Sequence, residues 1–127
     1  MKGLFVLIGI IGLIACNKSV TKYNKDFEGN WFTDTVYDSV IEDSSRSQIL
    51  IDGQDGKMNN SCVDVCLPDL CGCISSQAGK AEMNSNKTQM KIGSAKGTQP
   101  LTINQEPFQD SDGKWKMEIN GRVYTKQ

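Results

Sequence analysis

The chain has 127 residues, with 14 basic and 15 acidic side chains and a formal net charge of −1. That balance leaves no basic stripe for a nucleic-acid backbone. The absence of histidine removes Ser-His-Asp and Cys-His nucleophile systems and most zinc hydrolase sites.

The first fifteen residues carry Lys2 and then an apolar and glycine run to Ala15. A charged start, a short apolar helical stretch and a small residue at the end make a secretory signal. The run is shorter than the roughly 20 apolar residues of a transmembrane helix. Leu13-Ile14-Ala15-Cys16 resembles the lipobox of bacterial lipoproteins. The resemblance implies a signal peptide over 1–15 and lipidation of Cys16, which becomes the mature N-terminus. Acyl chains at about 0.8 kcal/mol per buried methylene would then hold the protein on a membrane. Asn17 does not resemble the inner-membrane retention signal of enterobacteria. The expected location is therefore the outer membrane, on its periplasmic side or at the cell surface. Residues 17–26 are polar and show no periodicity. With Cys16 they read as a flexible tether over 16–26, followed by one small domain over 27–127.

The domain reads as short strands separated by turns. Residues 30–38 (NWFTDTVYD) are rich in β-branched and aromatic types, and residues 47–52 (SQILID) put Ile49 and Ile51 on one face. A GQDG turn leads into residues 57–66, which predict a longer strand. GCISSQ, KAEMNS and TQMKIG follow, the last with Met90 and Ile92 on one face. PLTINQ (100–105) alternates Leu101 and Ile103 with polar neighbours. The last segment, KWKMEINGRVYTKQ, predicts a hairpin about Asn120-Gly121. Ile119 then faces Arg122, Met117 faces Tyr124 and Trp115 faces Lys126, all on the core face. No sustained helical periodicity appears after the signal. The expected fold is all-β, a small antiparallel barrel or sandwich of about eight short strands.

Gly29-Asn30-Trp31 opens the first strand as G-x-W does in lipocalin-like proteins. That resemblance implies that Trp31 closes one barrel end against a basic residue of the last strand, Arg122 or Lys126. Gly29, Trp31, Trp115 and Arg122 form the candidate fold signature. The layout of lipobox, tether, G-x-W and final hairpin is similar to small lipocalin-like lipoproteins of Bacteroidota-type bacteria. DGKMNNSC and KIGSAKGT give a weaker resemblance to META-type lipoprotein domains. Neither family brings a catalytic residue.

The stretch 62–73, CVDVCLPDLCGC, holds four of the five cysteines. Outside the inner membrane thiols are oxidised, and with Cys16 lipidated an even number remains to pair. If Leu67-Pro68-Asp69-Leu70 is a four-residue hairpin loop, opposed residue numbers sum to about 137 by antiparallel pairing. Cys66 then faces Cys71, Cys62 faces Ser75, and the thiols share the outer face. The nested pairs Cys66–Cys71 and Cys62–Cys73 follow, the second requiring a bulge near Gly72. The crossed pairing, Cys62–Cys71 with Cys66–Cys73, gains if 61–66 is a helical turn, and the third, Cys62–Cys66 with Cys71–Cys73, needs a strained ring at Cys71-Gly72-Cys73. The spacing C-x3-C-x4-C-x-C does not match paired C-x2-C zinc sites. A redox role for Cys71 and Cys73 rests on a strained C-x-C bond. It is disfavoured by the nearby Asp64 and Asp69 and by the absence of a neighbouring cation in the sequence.

The acidic residues cluster at turns, so a carboxylate-pair glycosidase has little support. DSDG (110–113) lacks the following glutamate of a calcium loop. No metal, cofactor or nucleotide site is expected. The expected function is a membrane-anchored, non-enzymatic lipoprotein with a binding or envelope-structural role and a protein or small-molecule partner. The alternatives are a lipocalin-like carrier of a small apolar ligand and a thiol-disulfide exchange protein.

Overall fold

The computed structural model describes residues 18–38, 43–63 and 73–127. The expected signal peptide over 1–15, Cys16, Cys66 and Cys71 lie outside the described residues. The chain begins with β1 (Lys18–Ser19), α1 (Val20–Tyr23) and a 3-10 turn (Lys25–Phe27). Strands follow as β2 (Gly29–Thr33), β3 (Val36–Asp38), β4 (Asp43–Asp52), β5 (Asp55–Val63) and β6 (Cys73–Met83). The last are β7 (Gln89–Ile92), β8 (Leu101–Gln109), β9 (Trp115–Ile119) and β10 (Arg122–Lys126).

Eight of these strands close an antiparallel barrel rather than a sandwich. Strands β4 to β10 each pair with the next in sequence, and β2 pairs with both β4 and β10. The connection β6–β7 completes the ring, while β1 and β3 are short additions to β6 and β4. Period-two alternation explains the closure. Trp31, Ile49, Ile51, Met58, Ala81, Met90, Ile92, Met117, Ile119 and Tyr124 are buried inside. Lys57, Lys80, Lys91 and Lys116 occupy outward positions between them. Apolar inside and polar outside is the reverse of a transmembrane barrel. A ring of eight strands is just wide enough for its own side chains to fill it.

The two ends differ. Strand directions put residues 53–54, 84–88 and 110–114 at one end, together with the N-terminal segment. Thr33, Val63, the connection over 93–100 and the turn at 120–121 lie at the other end. Within the expected tether, residues 18–26 form β1, α1 and most of the 3-10 turn. Lys18 and Ser19 pair with Met83 and Glu82, and Val20 and Phe27 are fully buried. These two apolar residues, isolated in a polar stretch, plug the first end, and in sequence only Asn17 stands between Cys16 and Lys18.

The C-terminal hairpin pairs Ile119 with Arg122 and Met117 with Tyr124. Asn120 (φ 51°) and Gly121 (φ 74°) form the left-handed turn that matches strand twist. Elsewhere the segmentation differs. Residues 30–38 split into β2 and β3, and GCISSQ joins KAEMNS in one strand of 11 residues. The ladder β5–β6 also runs in a different register. Asp55 pairs with Lys80, Met58 with Gln77, Asn60 with Ser75 and Cys62 with Cys73. Ser75 thus opposes Asn60 and not Cys62, because the register is set inside the barrel, where Met58 and Ala81 are buried, and not by the loop.

Candidate functional site

The closed end is built around Trp31. Its Nε1–H donates to the Phe27 carbonyl at 2.8 Å, joining the barrel wall to the N-terminal plug. Lys126 reaches across from β10, with Nζ 4.8 Å from the Trp31 ring centroid and 5.3 Å from that of Trp115. The same ammonium donates to the Asp26 carbonyl at 3.1 Å. Such a cation over an aromatic face contributes about 0.5–2 kcal/mol. Gly29 makes room for it, because a Cβ there would lie 2.9 Å from Lys126 Cε and the backbone has φ +142°. Gly29, Trp31 and Trp115 therefore meet around the Lys126 side chain.

Arg122 does not join them. On β10, Lys126 is the Cα partner of Trp31. Arg122 is four residues away, about 13 Å along the strand. The lysine takes the closing role and frees the arginine for the other end.

Among the described residues, that other end is an open mouth. A cavity of about 330 Å³ is lined by Met58, Gln77, Gln99, Leu101, Asn120, Arg122 and Tyr124, with Gly97 at its rim. Arg122 Nη1–H donates to Ser47 Oγ at 2.7 Å, and Nη2–H reaches Thr33 Oγ1 at 3.4 Å. Thr33 Oγ1 also accepts the Ser47 backbone N–H at 2.9 Å, which fixes both hydroxyls under the guanidinium. Among the described residues, no carboxylate forms an ion pair with Arg122. Burial pushes the Tyr124 phenol above its ordinary pKa, while the Arg122 charge and the Ser47 hydroxyl pull it down. The site holds a fixed positive charge on a partly apolar floor, a suitable arrangement for binding an anion.

The closed end carries a smaller hollow of about 240 Å³ beside Lys18, Tyr23, Met83 and Lys87. There the Tyr23 hydroxyl donates to Glu106 Oε2 at 3.2 Å, and Lys87 Nζ lies 4.8 Å from the Tyr23 ring. The hydrogen bond to Glu106 raises the Tyr23 pKa. DSDG is a turn. Asp110 Oδ1 accepts the N–H groups of Asp112 and Lys114, and Oδ2 lies 3.0 Å from Lys116 Nζ. The Lys116 contact and these N–H bonds hold the Asp110 carboxyl below the usual range.

Of the cysteine cluster, Cys62 and Cys73 are Cα partners at the mouth end of β5 and β6. Arg46 is the β4 partner of Cys62, a cation that the local sequence gave no reason to expect there. The pair Cys66–Cys71 lies outside the described residues. Sequence reasoning also missed Thr33, Ser47, Gln77 and Gln99 as mouth residues. The available signal was Arg122 itself, a charge at a core-face position of the best-defined hairpin. No family model, no curated protein and no solved structure matches this chain.

Proposed function

We propose that this chain is a membrane-anchored, non-enzymatic lipoprotein of lipocalin-like design that binds its partner at the open mouth of the barrel. The observation that carries the reading is the placement of the two ends. The described chain starts at Lys18 on the closed end, opposite Arg122 and the mouth. Lys18 is two backbone steps from Cys16, at most about 7 Å, so a lipid on Cys16 would hold the plugged end against the bilayer. The mouth would then face away from it. The barrel interior at the plugged end is filled by Trp31, Ile49, Ile51 and Met117, which favours binding at the mouth over deep enclosure. A bond between Cys62 and Cys73 would staple β5 to β6 at the mouth, and their direct opposition supports it without a bulge.

The test is metabolic labelling with a radioactive fatty acid, followed by fractionation. The wild-type chain is expected to carry label and to sediment with membranes, and Cys16→Ser to lose both. An unlabelled wild-type chain that fractionates like Cys16→Ser would overturn the anchor.

A further inference from the structure

We infer that the mouth takes a small organic carboxylate with a short apolar chain, and that Arg122 holds its head group. The inference rests on the mouth being the binding end. Two positive side chains of β10, Arg122 and Lys126, share the core-face parity of Tyr124. Lys126 is accounted for by two indole rings and the Asp26 carbonyl. Arg122 is not. Its described partners are the neutral hydroxyls of Ser47 and Thr33. Asp34 lines the adjoining surface with Arg122 and Val123 but forms no ion pair with it.

A guanidinium has five N–H donors in a planar fork. With one donor of each terminal nitrogen directed to a hydroxyl, three remain for a carboxylate, whose two oxygens match the fork. The two hydroxyls keep the guanidinium plane in place before a ligand arrives. The rest of the cavity suits the rest of such a molecule. Met58, Leu101 and the Tyr124 ring offer apolar contact, and Gln77, Gln99 and Asn120 can hydrogen-bond at the rim. A volume of about 330 Å³ equals roughly eleven waters of liquid, enough for an eight-carbon chain and no long acyl tail. A cation would meet the guanidinium unfavourably, and a neutral chain would leave it unpaired.

The experiment uses the mature chain, residues 16–127, carrying Cys16→Ser so that no lipid or detergent competes. Octanoate and octanol are titrated calorimetrically. Octanoate is expected to bind, and Arg122→Gln to weaken it about tenfold or more, as for loss of a charge-assisted bond. Octanol should bind the two proteins alike. Gln99→Glu, on the exposed loop, should weaken octanoate, and Gln99→Lys should strengthen it. The inference is overturned if folded wild-type protein does not bind octanoate, or if Arg122→Gln, folded by its tryptophan emission, binds within twofold of wild type. If Arg122→Gln does not fold, the Gln99 pair decides, and equal affinities for its two charge states overturn the inference. Because this protein is already unlipidated, failure here leaves the anchor standing, and failure of acylation leaves the titration interpretable.

Discussion

Lys126 and Arg122 occupy equivalent faces of one strand, yet one closes the barrel and the other stands in its mouth. Both positions share parity, so local pattern cannot choose between them. The choice depends on the register of β10 against β2, a pairing between residues that are distant in sequence. Gly29 records that choice. Its missing side chain leaves space for the lysine stem at 2.9 Å, in a conformation with φ +142°. Gly29→Ala is expected to cost about 1–3 kcal/mol, part steric and part backbone strain. In a Lys126→Ala background the steric part disappears. Urea denaturation of the two single variants and the double variant should therefore show a coupling of about 0.5–2 kcal/mol, with Gly29→Ala milder when Lys126 is absent. Strict additivity would mean that the stem does not press on Gly29.

Among the elements, two hairpins differ in how much their own sequence specifies. The β9–β10 register was legible because the two-residue Asn120-Gly121 loop fixes it by itself. The β5–β6 register was not. Read inward from Leu67-Pro68-Asp69-Leu70, it sets Cys62 against Ser75. Fixed from the barrel outward, through Gly56 opposite Gly79 and Met58 opposite Gln77, it sets Cys62 against Cys73. Gly56 has little freedom to slip, since a Cβ there would meet Ala81 at 3.0 Å and Ile92 at 3.3 Å. Non-reducing peptide mapping of the mature protein should therefore recover a linked pair of peptides containing Cys62 and Cys73. Linkage of Cys62 to Cys66 or Cys71 instead would show that the loop, and not the ladder, governs pairing. The same ladder brings Arg46 opposite Cys62, a neighbour visible only across strands.

At the scale of the whole molecule, the N-terminal segment packs into the end of the barrel. Phe27 is fully buried, and its carbonyl accepts the Trp31 indole N–H. Removing the Phe27 ring should cost about 3–5 kcal/mol, typical of a truncated core aromatic. Phe27→Ala should shift a single urea transition seen alike by tryptophan emission and far-ultraviolet dichroism. An early, separate transition would mean that residues 18–27 are a detachable arm. The sequence by itself determined the all-β class, the inward faces of the main strands and the turn of the last hairpin. It also placed Gly29 and Trp31 at the start of the barrel. Those features follow from period-two burial and from local turn chemistry, which act over a few residues. Only the tertiary structure decided that the polar N-terminal stretch is a plug, that Lys126 rather than Arg122 meets Trp31, and that Cys62 opposes Cys73. Each of these depends on registers set by ring closure. A closed barrel has one consistent set of registers, and that set is a property of all eight strands together.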